Sequence, residues 1–448
     1  MSFNPFFHCQ KKIYLYSLLF ALYHLKMIYR FIRPIATIAF KVHFNKIHIT
    51  GKEKIPKDKP VILAVNHPTA FIEPCLLACF QDNNLNFLIR GDIWNNSFYN
   101  KLMQGVHLIP IYRQKDGYEN LTKNYETFTY CNKALKDNKT LVVLPEGTTI
   151  QEKRLRPIKK GLARIVAGAL EEYPGLDIQI IPVGANYTYA DKARTTVMIQ
   201  IGDPLPVKSF FDGVPTNKAV LQLTNALREG MNNCIVNIPD KEDDDLVEAI
   251  LPLIRSQFPE PVLPIVSFNN DQLEREKKVA ATISGMEEHE KIGLQVLVTR
   301  YFKLLKENHL KDTHLPVRDE SLSFRFISFL LKLPSLLGFL LNIPPIYLAR
   351  YLTHSKVKQL EFKLSVFLGV AIFSWTFYYL LGSGLFGLAG WKWLFGWLFT
   401  LPVLAFAYLF EREMHKKLAP ISKMKRTDKG TRDMLLNLKM EILEKVGI

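Results

Sequence analysis

Hydrophobic and polar positions change their period along this chain, and each change marks a boundary. In residues 1–45, aromatic and aliphatic side chains from 13 to 40 are interspersed with Lys26, Arg30 and Arg33. That mixture predicts N-terminal helices lying at a membrane interface. From 46 to 240, short apolar runs (VILAVN, NFLIR, VHLIPIYR, TLVVLPEG, IQIIPVGANYT, TVMIQIG) alternate with stretches of helical period. Near-continuous apolar strands alternating with helices predict an α/β domain whose mostly parallel sheet is flanked by helices. Residues 241–321 carry a helical pattern opening on the acidic run Glu242 to Asp245, which suits a helix N-terminus. Residues 322–411 are dominated by Leu, Phe, Ile, Trp and Gly. Residues 412–448 return to a basic linker and an amphipathic tail helix around Leu435, Leu436, Leu438, Ile442 and Leu443.

Within the apolar block, Leu364 to Leu381 and Trp393 to Phe410 are each long enough to span a bilayer and predict a hairpin. Lys356, Lys358 and Lys363 flank one outer end, and Arg412, His415, Lys416 and Lys417 flank the other. The connection holds only Lys392, so both ends, and the α/β domain with them, are expected on the cytoplasmic face (of the inner membrane in a bacterium). The first part, Phe326 to Leu348, is interrupted by Lys332, Pro334, Pro344 and Pro345 and has basic residues at both flanks. It predicts a re-entrant or in-plane element rather than a single crossing. The N-terminal segment Ile13 to Leu25 lacks a small-residue cleavage site and predicts a retained anchor.

Charge narrows the partners. Lys+Arg 58 against Asp+Glu 42 gives a net +16, which favours an anionic partner. Among a nucleic acid, a phosphorylated substrate and an anionic lipid surface, the apolar C-terminal third directs that preference toward lipid, and no nucleic-acid signature, zinc-ligand spacing or Walker-type glycine loop appears. No nucleic acid, metal or bound cofactor is therefore expected. Cys9, Cys75, Cys79, Cys131 and Cys234 are odd in number, which points to reduced cytosolic thiols.

The chemistry gathers at strand ends, where parallel sheets bind their ligands. Asn66-His67-Pro68 follows VILAV, and Glu73 stands beyond His67 after five intervening residues, a base with a carboxylate in reach. Pro68 disfavours the α region for His67 and suits a helix start, which predicts a strand-to-helix junction. A neutral imidazole takes a proton from an alcohol near pH 7 when a carboxylate holds its other nitrogen. Arg113 ends GVHLIPIYR, and its planar fork suits a phosphate. Glu146, Gly147 and Thr148 follow the TLVV run, and the basic loop KRLRPIKK, Lys153 to Lys160, comes next. Arg90, closing NFLIR, is a further basic candidate.

Taken in order, Asn66-His67 with Glu73, Gly105 to Arg113, Leu144 to Thr149 (LPEGTT) and Ile181 to Tyr187 (IPVGANY) resemble the four motif blocks of the glycerolipid acyltransferase family. The resemblance covers about residues 60 to 205. It implies that His67 is the general base, that Glu73 orients it, and that Arg113 carries the substrate phosphate. Asn66, Glu146, Gly147, Thr148, Lys159 and Arg90 would complete the substrate site. Lys159 is preferred in the basic loop because a lysine two positions before a glycine recurs there in the family. The fourth block would shape the acyl channel. The chain departs from the commonest family pattern, which has an aspartate after four intervening residues. The implied activity is transfer of an acyl chain from acyl-CoA or acyl-ACP to 1-acylglycerol-3-phosphate, forming phosphatidic acid. The alternatives are a glycerol-3-phosphate acceptor, another lyso-lipid acceptor such as an amino-acid-based one lacking phosphate, and an inactive lipid-binding membrane protein of the same fold.

Overall fold

A computed structural model describes residues 29–81, 85–91, 107–112, 124–315, 321–425 and 427–448. Among these, nine strands form one sheet: β1 (Lys46–Thr50), β2 (Val61–Val65), β3 (Leu85–Arg90), β4 (Leu108–Ile111), β5 (Thr140–Val143), β6 (Gln179–Tyr187), β7 (Thr196–Ile201), β8 (Leu205–Pro206) and β9 (Val266–Ser267). Their order is β4-β3-β5-β2-β6-β7-β1-β9, with β8 pairing β6. Strands β2 to β6 run parallel to one another, and β6 pairs antiparallel with β7 and β8. The six apolar runs of the sequence are strands β2 to β7.

Helices cover both faces. On one side Leu162, Ile165 and Val166 of helix Gly161–Glu172 and Leu223 and Leu227 of helix Thr216–Asn232 share a core with Ile62, Leu141 and Ile180. On the other, Leu76 and Leu77 of helix Ile72–Phe80 pack with Leu63, Val142 and Ile181. This alternation of inward residues, with both strand faces buried, is why the strands read as unbroken apolar runs. The carboxyl ends of β2, β5 and β6 consequently meet at one edge, since β5 and β6 pair in parallel with β2 on its two sides.

Helices Asp244–Gln257, Asp271–Ser284, Glu288–Glu307 and Lys429–Lys445 share a second core that includes Leu251, Ile254, Leu294, Val298, Leu438 and Ile442. Lys439 is buried there, donating to Ser256 Oγ at 2.7 Å and to the Leu315 carbonyl at 3.0 Å, with Asp312 Oδ1 at 3.1 Å. A buried ammonium so surrounded is a structural junction.

Three helices, Leu322–Lys356, Leu360–Leu388 and Trp391–Lys425, are long and apolar enough to cross a membrane. Exposed side chains such as Phe329, Leu333, Phe373 and Phe399 line their outer surfaces, as expected of helices that face lipid. The last two form an antiparallel pair, with the Tyr379 hydroxyl donating to the Leu398 carbonyl at 3.0 Å. The third helix extends beyond the apolar run because its basic end docks on the α/β domain, where Arg194 Nε meets Glu413 Oε1 at 2.8 Å. The first helix continues through Pro334, Pro344 and Pro345. Ser335 faces Glu411, whereas Asn342 meets Trp375 and Pro345 meets Ser374. These contacts pack the helix against the other two, and a short link joins it to Leu360.

At the N-terminus, residues 29–43 are helical, with Phe31, Ile32, Ile35 and Ile38 exposed and Phe40 buried. The anchor expected at Ile13 to Leu25 and Cys9 lie outside the described residues. The other four cysteines are free.

Candidate active site

Strand β2 ends at Val65, and Asn66 prolongs its pairing through a side chain. Asn66 Nδ2 donates to the Ala185 carbonyl at 3.1 Å, and the Ala185 N–H donates to Asn66 Oδ1 at 2.6 Å. Both amide atoms therefore engage the backbone of β6, which fixes the point from which His67 projects.

Beyond His67 the chain turns sharply. Phe71 adopts φ 67°, a left-handed conformation that costs a non-glycine residue about 1–2 kcal/mol. It immediately precedes the helix Ile72–Phe80, whose first turn carries Glu73 back under the imidazole. Glu73 Oε2 lies 3.2 Å from His67 Nδ1. Glu73 Oε1 accepts from the Thr69 N–H at 2.9 Å, from Thr69 Oγ1 at 2.6 Å and from the Tyr187 hydroxyl at 3.1 Å. The carboxylate is 0% exposed, so these donors replace water for it. A carboxylate so held keeps the imidazole hydrogen on Nδ1 and leaves Nε2 as the basic nitrogen. The turn at Phe71 is how five intervening residues and a glutamate fit the geometry.

The neighbouring strand β5 delivers the second group. Glu146 is buried and pairs with Arg156 Nη2. Arg156 also donates to Thr148 Oγ1 at 2.6 Å, to the Thr148 carbonyl and to the His67 carbonyl at 3.5 Å. Burial raises the Glu146 carboxyl above its usual range, and Arg156 and His67 oppose that shift. Gly147 has φ 70°, and a Cβ there would meet only Lys159 Cγ, at 3.6 Å. Its glycine is required by backbone conformation rather than by space.

Of the basic loop, Lys153 is paired with Glu248 and Arg154 with Asp244, each at 2.5 Å, while Arg156 is held by Glu146. Lys159 is exposed, with its stem beside Gly147, and Thr148 is exposed on the same turn. Arg113 lies outside the described residues, and Arg90 is described only through its backbone at the end of β3. The structure thus gathers His67, Glu73, Glu146, Gly147, Thr148 and Lys159 at one sheet edge. The sequence pattern marks Arg156 only as one of the positive charges of the basic loop, and it gives no sign of what Thr69 and Tyr187 do. The bridging role of Arg156 rests on its planar fork, which joins a carboxylate and further oxygens.

A cleft of about 240 Å³ opens beside this edge, lined by Asn66, Pro68, Arg154, Tyr187, Tyr189 and Ile235 among others. The fourth block seats its wall. A Cβ on Gly184 would lie 1.9 Å from the Cys234 carbonyl oxygen, Asn186 Nδ2 donates to that carbonyl at 3.0 Å, and the Val236 N–H donates to Asn186 Oδ1 at 2.8 Å. Among the described residues, no cluster of three or more His, Cys, Asp and Glu is placed to hold a metal ion.

An acid-braced histidine serves several kinds of chemistry, and comparison with known proteins separates them. Residues 46–186 match the acyltransferase family. Glycerol-3-phosphate O-acyltransferase 1 of Saccharomyces cerevisiae is 28% identical over 129 residues, which are 28% of this chain and 17% of that protein. Residues 46–186 are thus an acyltransferase domain, similar to the glycerolipid acyltransferases. This domain is also similar to glycerol-3-phosphate O-acyltransferase 2 of the same yeast, at 24% identity over 28% of this chain and 17% of that one. An uncharacterized acyltransferase of Schizosaccharomyces pombe matches at 23% identity over 33% of this chain and 23% of its own length. The matched segments thus span less than a quarter of each of these relatives. Among solved structures, the 1-acyl-sn-glycerophosphate acyltransferase of Thermotoga maritima aligns with 51% of this chain and 93% of its own, at 18% identity and a TM-score of 0.35.

Proposed function

We propose that this protein is a membrane-bound O-acyltransferase that moves an acyl chain from an acyl-CoA or acyl-ACP thioester to the free hydroxyl of 1-acylglycerol-3-phosphate, forming phosphatidic acid. The observation that carries this reading is the contact of His67 Nδ1 with the buried Glu73 carboxylate beyond the carboxyl end of β2. His67 Nε2 takes the hydroxyl proton as the acceptor oxygen attacks the thioester carbonyl carbon. The tetrahedral intermediate then collapses, the carbon–sulfur bond breaks, and the imidazolium returns the proton to the departing thiolate. Glu73 stabilises the imidazolium between these steps, as the acid of a hydrolase triad does, with the substrate alcohol in the place of a serine. No acyl-enzyme forms.

Lys159, on the turn beside the dyad, would meet the acceptor phosphate, joined by Arg113 and Arg90. A lysolipid acceptor is favoured because the loop carrying His67 packs against an apolar helix: the Ala70 N–H donates to the Glu361 carbonyl at 3.0 Å. The active edge then faces the bilayer surface on its cytoplasmic side. Two yeast relatives are glycerol-3-phosphate O-acyltransferases, which favours a second reading, with glycerol-3-phosphate as the acceptor.

Product analysis tests both. Purified protein in bilayers is given labelled acyl-CoA or acyl-ACP with each acceptor in turn. Labelled phosphatidic acid from 1-acylglycerol-3-phosphate supports the first reading, and labelled 1-acylglycerol-3-phosphate from glycerol-3-phosphate replaces it with the second. Folded protein that acylates neither acceptor overturns both.

A further inference from the structure

We propose that the second apolar helix, Leu360–Leu388, is a working part of the active site, and that Ser365 is a positioning residue for the His67–Glu73 loop. The proposal rests on the reading of that pair as a catalytic base and its orienting acid.

Both backbone polar groups of Ala70 are satisfied by a single turn of this helix. The Ala70 N–H donates to the Glu361 carbonyl, and the Ser365 hydroxyl donates to the Ala70 carbonyl. A serine within a helix commonly returns its hydroxyl to the carbonyl four residues back. For Ser365 that carbonyl is Glu361. Here the two groups are turned outward together, and Ala70 sits between them.

Ala70 is adjacent to both residues that shape the loop. On one side Thr69 holds Glu73 Oε1 with its N–H and its hydroxyl. On the other, Phe71 has the left-handed backbone, which persists only where surrounding contacts over-determine it. The helix supplies those contacts. Leu364 and Leu368 are buried in the same core as Ile72 and Leu76, although few other residues of this helix are buried. An ordered path therefore runs from Ser365 to Ala70, Thr69, Glu73 and His67. The helix lies far beyond residues 46–186, so the clamp is an addition to the family domain by the rest of this chain.

The test uses the full chain in lipid nanodiscs, with kinetics on both acceptors. Ser365→Ala and Ser365→Cys, which remove or weaken the donor, should lower kcat roughly tenfold and leave the acceptor KM within about twofold, since small misplacements of a catalytic group cost rate steeply. Ser365→Thr, which keeps a hydroxyl, should restore most of the rate. Unchanged kcat in Ser365→Ala and Ser365→Cys overturns the clamp, as does a loss in all three variants that follows their unfolding midpoints. The extent to which diethyl pyrocarbonate modifies His67, followed by mass spectrometry, gives a readout independent of turnover. A several-fold change in that rate in Ser365→Ala supports the clamp and an unchanged rate overturns it, even if the wild type transfers no acyl chain and the enzyme reading itself has failed.

Discussion

Tyr187 donates its hydroxyl to Glu73 Oε1 at 3.1 Å, tying the last residue of β6 to the helix that follows β2. The bond holds the acid of the proposed catalytic pair from a direction opposite to its own loop. Tyr187→Phe keeps the ring and removes one of the donors to a buried carboxylate, a loss of about 1–2 kcal/mol. Steady-state kinetics should show kcat several-fold lower with the acceptor KM unchanged.

Glu73 itself separates charge from shape. Glu73→Gln keeps the volume but loses the negative charge that stabilises an imidazolium, and kcat should fall by roughly three orders of magnitude. Glu73→Asp keeps the charge but shortens the reach from a turn set by Phe71, so a smaller loss of about 10- to 100-fold is expected. An aspartate variant as active as the wild type would show that the loop reshapes itself to fit either acid.

Arg156 is a structural strut whose loss exposes the cost of Glu146. In Arg156→Ala the buried Glu146 carboxylate is left without its cation, a destabilisation of about 3 kcal/mol. Changing both, as Arg156→Met with Glu146→Gln, should recover part of that loss. Denaturation midpoints of the single and double variants check this.

His43 makes stability depend on acid. Its ring nitrogens have no hydrogen-bond partner among the described residues, and burial, with Arg194 nearby, lowers its pKa from 6.5 to about 4. Between those values the unfolded chain binds a proton there that the folded chain refuses. Stability therefore falls as pH drops through this window, by up to about 3 kcal/mol. The unfolding midpoint of the wild type should drop between pH 7 and pH 5 by more than that of His43→Leu.

Sequence and structure agree most closely where burial is two-sided. The strands β2, β5, β6 and β7 are buried on both faces, so their apolar runs stood out. β1 did not, because its polar residues are satisfied inside: Lys46 Nζ donates to the Pro264 carbonyl at 2.5 Å and His48 pairs with Glu260 at 2.9 Å. β8 and β9 are two residues long, too short for any period to show.

In the site, His67 and Glu73 were legible because they are local, six positions apart on one loop. Tyr187 and Ser365 were not, since they reach that loop across 114 and 295 residues and only the packed fold brings them there. Lys153 and Arg154 read as free positive charge, yet Glu248 and Asp244 of a later helix neutralise them. The third apolar helix runs past its apolar stretch because Glu413 finds Arg194, a contact outside any local pattern.

Acyl transfer by His67→Ala in bilayers, measured beside the wild type with labelled thioester and both glycerol phosphate acceptors, tests the central claim most directly. The wild type should form labelled product, and the variant, with an unaltered unfolding midpoint, should be slower by about a thousandfold, the scale of a lost general base. Equal rates in the two proteins would contradict the claim.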